Sequence, residues 1–301
     1  MQNEHVNLGT YGIWTGALDA VSSARAGEFA GEVEELGFGA LWIPETVARE
    51  VFVSSSLLLS ATNSLVVATG IANRYGRDAL TCAAAQQTLA EAFPGRFLLG
   101  LGVSHEHLVS KIRHHDYSKP YSAMVEYLDA MDSALYFSPK SDVPAQTVLA
   151  ALGPKMLELA ATRTAGAHPY FVPPEHTAYA REIMGAAPLL AVEQMVVLET
   201  DPSTARDVAR SNMAIYMRLP NYTNNLRRLG WSEEDLADGG SDTLVDAIVA
   251  WGTVDQVLER VRAHLDAGAD HVCIQALRAD PTEVPVEEWR ELAGTLGLPR
   301  R

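Results

Sequence analysis

Cysteine, basic runs and long charge-free apolar segments are all scarce in this chain, and each scarcity argues against a class of protein. The two cysteines, Cys82 and Cys273, stand far apart with no CxxC spacing. That argues against a disulfide scaffold or a zinc cluster and for two reduced core thiols in a cytoplasmic protein. Lysine and arginine number 23 against 38 aspartates and glutamates, a formal charge of −15. Without a basic patch, binding to nucleic acid or to an anionic membrane is not expected. Met1–Asn7 carries Glu4 and His5 instead of a basic start and an apolar core, so no export signal is expected. The charge-free stretch Val51–Asn73 is broken by Ser54, Ser55, Ser56, Ser60, Thr62, Asn63 and Ser64, and reads as helix, turn and buried strand rather than a membrane span.

What the chain does have is 301 residues with 48% hydrophobic side chains, enough for a substantial core. Eight short apolar runs recur: Val6–Trp14, Ala40–Ile43, Leu65–Ile71, Phe97–Val103, Thr147–Leu152, Ala167–Val172, Leu189–Leu198 and His271–Leu277. Near-continuous apolar strands belong to a parallel sheet covered on both faces. Between them lie helical patterns, among them Ser22–Leu36 stopped by Gly37, Asp78–Phe93 before Pro94, and Val254–Ala267, where Thr253 can cap a helix with Val257, Val261 and Leu265 on one face. Eight alternations, and no GxGxxG after the first strand, predict a (β/α)8 TIM barrel rather than an open dinucleotide-binding sheet. The long spacers His105–Gln146 and Asp201–Asp270 exceed one helix and predict rim insertions, with the polar segment Tyr216–Gly240 as an exposed insertion or lid. Nothing marks a linker, so 1–301 reads as one domain.

In a barrel of this kind the site lies at the carboxyl ends of the strands. Those ends are Trp14–Thr15, Pro44–Thr46, Gly70–Arg74, Val103–His107, Leu152–Lys155, Pro173–His176, Glu199–Asp201 and Gln275–Arg278. His105 and His107 have an HxH spacing, but zinc would need a third ligand from His114, His115 or His176, so no metal is assigned. Ser104 lies in GVSHE, outside a nucleophile elbow. Leu152-Gly153-Pro154-Lys155 is more informative: glycine then proline at a helix start leaves backbone N–H groups to face an anion, and Lys155 can add a charge. Gly70, in Thr69-Gly70-Ile71-Ala72-Asn73, ends the third strand where a bulge or a close approach to a ligand is expected.

Four blocks carry a resemblance: LGFGALWIPET (Leu36–Thr46), the long block Val67–Val109 with GRFLLGLG inside it, LAALGPKMLELAATRTAGAHPYFVPPEHT (Leu149–Thr177) and GTVDQVLERVRAHLDAGADHVCIQ (Gly252–Gln275). In these the chain resembles the bacterial luciferase-like superfamily, in particular its coenzyme F420-dependent oxidoreductases. The resemblance implies a TIM barrel with rim insertions that holds F420, or alternatively FMN. A bulge with a cis peptide at Gly70–Ile71 would back the ring. It implies Gly70, Ile71 and Asn73 as ring contacts, and Leu152, Gly153, Pro154, Lys155 and Met156 as the phosphate loop. Relatives carry a histidine after the acid that ends strand two and an acid near the end of strand four; here those positions are Thr46, after Glu45, and His105. His105 is therefore the candidate general acid or base, with Glu45 orienting it, binding substrate, or serving as a structural carboxylate that caps a backbone N–H. Trp14, Thr46 and Arg278 are candidate substrate contacts. The expected reaction is hydride transfer between deazaflavin C5 and a small organic substrate in a cytoplasmic homodimer. The alternatives are an FMN-dependent two-component monooxygenase and a non-catalytic F420- or flavin-binding protein.

Overall fold

The computed structural model describes residues 6–301; the export expectation for Met1–Asn7 rests mainly on residues 1–5, which lie outside the described residues. The first unit runs from Tyr11–Trp14 (β1) through Ser23–Glu35 (α1) to Ala40–Ile43 (β2). The Ser22 hydroxyl caps α1 by accepting from Arg25 N. At its other end Gly37, at φ +89°, supplies the left-handed turn that stops it. Val51–Ser60 (α2) and Val66–Thr69 (β3) fill the charge-free stretch, followed by a two-residue extension, Ala72–Asn73 (β4). Ala79–Ala92 (α3), with Asp78 accepting from Thr81 N, leads to Phe97–Gly102 (β5).

Pro120–Asp132 (α4), Gln146–Leu149 (β6), Pro154–Arg163 (α5), Gly166–Ala167 (β7), Pro174–Met184 (α6) and Leu189–Val197 (β8) follow. The last part comprises Pro202–Met213 (α7), Pro220–Arg228 (α8), Glu233–Leu236 (α9), Asp242–Ile248 (α10), Val249–Trp251 (β9), Val254–Asp266 (α11), His271–Ala276 (β10) and Val286–Leu296 (α12). Thr253 and Gln256 form a reciprocal capping box on α11, whose Val257 and Val261 are fully buried.

All strand pairs are parallel. The order β1-β2-β3-β5-β6-β7-β8-β10 returns to β1, and the pairing of β8 with β10 closes the eight-stranded barrel. The eight expected strand runs supply these eight staves, and two details differ. The run Ala167–Val172 stops being regular strand after Ala167: His168 N still donates to Leu149 O (2.8 Å) and Pro169 O accepts from Glu193 N (3.1 Å), and with Phe171 at φ +61° the chain then turns away, so that Tyr170 faces the mouth. The unexpected β9 lies within the Asp201–Asp270 spacer and pairs with Met195–Val197 on the edge of β8 that short β7 leaves open.

Inside the barrel Trp42, Ala68, Leu98, Val148, Ala191 and Cys273 are packed together. The indole of Trp42 donates to His271 Nε2 (3.1 Å) and stacks on His168 at 4.2 Å. His271 donates through Nδ1 to Gly9 O (2.8 Å), and burial pushes its pKa down to about 4, so this histidine is a neutral structural bridge. Both cysteines are free and buried. No helix among the described residues is long and apolar enough to cross a membrane.

The segment 216–240 holds α8, α9 and two short 3-10 turns. Its Tyr222 and Leu226 are buried with Phe171, Met195 and Met213 in a second apolar cluster, which seats α8 against the barrel mouth.

Candidate active site

The carboxyl ends of the strands enclose a cavity of about 800 Å³. Its floor is set by the break between β3 and β4. The Gly70–Ile71 peptide is cis. Gly70 N donates to Ile43 O (2.8 Å), and Ile71 O accepts from Glu45 N (3.2 Å), so both sides of the bulge are tied to the end of β2. A Cβ at Gly70 would stand 2.5 Å from Trp14 Nε1 and 3.1 Å from His168 Nε2, so only glycine lets these rings close around the bulge.

Neither Trp14 Nε1 nor His168 Nε2 has a partner among the described residues. His168 Nδ1 lies 2.9 Å from Ala191 O and donates to it, and burial pushes the pKa of this histidine down to about 4, leaving Nε2 as an acceptor. The floor is thus bordered by one unpaired donor and one unpaired acceptor, a costly arrangement unless a ligand completes it.

One wall is aromatic. Tyr170 packs on Trp14 with ring centroids 5.1 Å apart and hydrogen-bonds Tyr216 Oη (2.8 Å) and Gln275 Oε1 (2.9 Å), while Tyr216 and Tyr222 meet edge to face at 5.4 Å. Burial holds these phenols neutral, raising Tyr216 to about 12. Near them in the barrel lies Glu193, whose Oε2 accepts from Phe171 N (3.2 Å) and whose Oε1 has no partner. Burial pushes its carboxyl up to about 8.

His105 follows β5 at the mouth. Its Nδ1 stands 3.2 Å from Asn221 Oδ1, its ring is 5.5 Å from Tyr222, and burial lowers its pKa against the opposing pull of the Asn221 bond.

At the other end Gly153 caps α5 and Pro154 opens it. A Cβ at Gly153 would lie 3.5 Å and 3.8 Å from the two terminal nitrogens of Arg228, which comes from α8 and is otherwise bonded to neutral Asn225 (2.9 Å). Backbone donors, a helix N-terminus and a guanidinium free of any carboxylate therefore converge on one spot, suited to a phosphate.

The sequence-derived candidates divide accordingly. Trp14, Glu45, Thr46, Gly70, Ile71, His105, Leu152, Gly153, Met156 and Arg278 line the cavity. Pro154 and Lys155 lie exposed on the flank of α5, outside the lining, and the cation over Gly153 is Arg228 instead. Asn73 is fully buried, accepting from Tyr75 N (2.9 Å), and does not reach the cavity.

Glu45 is engaged rather than free. It accepts from Asn73 N (2.6 Å) and pairs with Arg77, with side chains only 4% and 8% exposed. Arg278 is tied to Glu288 (2.7 Å) and Glu283. Two expected strand ends, Pro173–His176 and Glu199–Asp201, stay outside the lining because the chain leaves the barrel early after β7 and because Asp201 caps α7 through Thr204 N. Among the described residues no group of three His, Cys, Asp or Glu side chains is arranged to hold a metal. Tyr170, Tyr216, Tyr222 and Arg228 escaped the sequence reading. The last three fell inside a segment read as a polar lid, where the 222, 225, 226 spacing of buried residues was the signal of a seated helix.

A closed parallel barrel with one deep cavity at the carboxyl ends of its strands is the ground plan of a barrel enzyme. Residues 8–271 match the family described as luciferase-like monooxygenase, and the chain belongs to that family; it is an oxidoreductase of the luciferase-like class. The chain is similar to a 5,10-methylenetetrahydromethanopterin reductase of Methanolobus tindarius, 26% identical over 87% of this chain and 93% of the relative. In fold it is similar to the coenzyme F420-dependent tetrahydromethanopterin reductase of Methanopyrus kandleri, with TM-score 0.75, 17% identity, and coverage of 97% of this chain and 100% of that one. It is also similar to the oxygenating constituent of 3,6-diketocamphane monooxygenase of Pseudomonas putida in complex with FMN, with TM-score 0.68, 14% identity, and coverage of 94% and 96%.

Proposed function

We propose that this oxidoreductase uses coenzyme F420 and transfers a hydride between the deazaflavin C5 carbon and a small organic substrate. The observation that carries this reading is the joining, in one cavity, of a phosphate seat at Gly153 and Arg228 with a floor that offers an unpaired donor at Trp14 and an unpaired acceptor at His168. A flavin or deazaflavin fits that pattern, since its tail carries phosphate and its pyrimidine edge carries adjacent C=O and N–H groups. When bound, the cofactor supplies a two-electron hydride donor or acceptor.

The protein's own part is to position and to manage the proton. Gly70 and Ile71 back the ring, Gly153 and Arg228 hold the phosphate, and the wall of Trp14, Tyr170 and Tyr216 excludes water from the space left for substrate. His105, depressed by burial and hence neutral near pH 7, takes up or releases the accompanying proton. Because the inner wall is aromatic and uncharged, an uncharged substrate suits it better than an acid.

Fluorescence titration of the purified protein with F420 and with FMN tests the reading. Micromolar F420 binding is expected, and its absence overturns the proposal. His105→Ala is expected to lower turnover at least tenfold while leaving cofactor affinity within about twofold. The alternative, an FMN-dependent monooxygenase, draws on the likeness to the FMN-bound neighbour and on the same phosphate seat; oxygen uptake with reduced FMN would favour it. We also propose a homodimer, in which a second copy covers the exposed Val53 and Leu57 of α2 and Leu80 of α3. A monomeric mass by light scattering would refute that.

A further inference from the structure

His105 is delivered to the cavity by an unusual turn. Ser104 has φ +56°, and its carbonyl accepts from the Tyr117 hydroxyl (2.8 Å), which pins the residue before His105. The ring itself is engaged from the far side of the mouth, by α8. Asn221 Oδ1 stands 3.2 Å from His105 Nδ1, and the next residue, Tyr222, places its ring 5.5 Å from the imidazole. Tyr222 is buried against Phe171 and Tyr216, so the start of α8 is anchored and Asn221 is held in register.

A carbonyl oxygen only accepts, so this contact requires the proton of neutral His105 to sit on Nδ1. The lone pair then falls on Nε2, which has no hydrogen-bond partner among the described residues. The chemistry of a histidine base depends on which nitrogen is free, and that is set by the bond the other nitrogen makes.

We propose that Asn221 is a positioning residue that locks His105 as the Nδ1–H tautomer, so that Nε2 is the atom exchanging the substrate proton and the rim insertion, not the barrel alone, completes the site. This rests on the reading of His105 as the proton-exchanging group. When Nε2 takes a proton, Nδ1–H stays bonded to Asn221, whose carbonyl dipole steadies the imidazolium without a second charge. The groups that meet the ring are Asn221 and Tyr222 from α8; Tyr117 reaches the preceding carbonyl. Neither a carboxylate nor a cation is bonded to the ring.

The test is nitrogen-15 NMR of histidine-labelled full-length protein without cofactor, with His105 assigned by His105→Gln, in wild type, Asn221→Ala and Asn221→Asp. Asn221 is exposed, so both variants are expected to fold, and a thermal melt verifies it. Wild type should show Nδ1 protonated. Asn221→Ala should shift the population toward Nε2–H and lower the His105 pKa, whereas Asn221→Asp should restore Nδ1–H and raise the pKa by about 1 to 3. An Nε2–H tautomer in wild type, or unchanged tautomer and titration in Asn221→Ala, overturns the assignment. In F420-dependent turnover, Asn221→Ala should lower kcat about tenfold at unchanged cofactor KM, with partial rescue by Asn221→Asp along a pH profile moved upward. If F420 fails to bind while the NMR result holds, the proposed reaction falls and the tautomer assignment stands.

Discussion

Removing one guanidinium, and comparing it with a nearby ammonium, tests which cation holds the phosphate on the proposed reading. Two arginines line the cavity. Arg278 is neutralised by Glu283 and Glu288, whereas Arg228, among the described residues, is bonded to neutral Asn225 and to no carboxylate. With its terminal nitrogens 3.5 Å and 3.8 Å from the point where a Cβ at Gly153 would sit, a phosphate seated on that helix start lies within about 4 Å of the guanidinium. Two unit charges at that distance attract by about 4 kcal/mol at an effective dielectric constant near 20. Desolvation leaves a net value of about 1.5–3 kcal/mol for a hydrogen bond to an ionised group, and the exposure of Arg228 favours the lower end. Arg228→Ala should therefore weaken F420 binding about tenfold. Lys155→Ala, on the exposed flank of α5, should change it by less than about twofold. Fluorescence titration at two salt concentrations reads both, and the wild-type affinity should fall with salt more steeply than that of Arg228→Ala. A loss in Lys155→Ala equal to or larger than that in Arg228→Ala would refute the assignment of the seat.

Glu193 predicts a pH signature. Its carboxyl titrates near 4.5 in the unfolded chain and near 8 in the folded one. Below pH 4.5 both states are protonated, between 4.5 and 8 only the unfolded chain loses the proton, and stability falls across that window by about 5 kcal/mol before levelling off. Glu193→Gln should abolish the decline, so that denaturant melts at pH 8 show a more stable variant; equal stability at pH 5 and pH 8 in wild type would contradict it. Glu45→Ala should act on the fold first, because it leaves buried Arg77 with half-exposed Glu50 as its remaining ionic partner. A loss of about 3 kcal/mol is expected, visible as a fall of several degrees in melting temperature, and an unchanged melting temperature would return Glu45 to the list of free functional groups.

The barrel was legible because its signals are local. Most staves are runs of apolar residues buried on both faces, and several crossover helices announce their starts with a cap such as Ser22, Asp78 or Thr253. The bulge at Gly70 was legible for the same reason, a glycine where a strand should continue. The rest of the site was not, since it depends on distances between remote segments. Lys155 and Arg228 are both cations that could serve Gly153; sequence proximity points to Lys155, whereas the path of α8 across the mouth brings Arg228 over Gly153. Glu45 and Arg278 looked available because nothing local reveals that Arg77 and Glu288 neutralise them. Short β7 misled in the opposite direction: the apolar run beyond Ala167 is not more strand but a wall, with Tyr170 facing the cavity and Phe171 packed behind it.

The acidic charge of the whole chain and the phosphate seat are compatible because they act on different length scales. At physiological salt a charge is felt over about 8 Å. An extended polyanion must lie across many such lengths of surface, where carboxylates outnumber cations, and is repelled. A small phosphate ester needs only one such length, and at Gly153 that length contains backbone donors and an arginine that no carboxylate neutralises. Pairing exposed or half-exposed arginines such as Arg206, Arg278 and Arg290 with neighbouring acids weakens competing cationic sites on the surface. The excess of negative charge is thus compatible with the local anion seat proposed at Gly153 and Arg228.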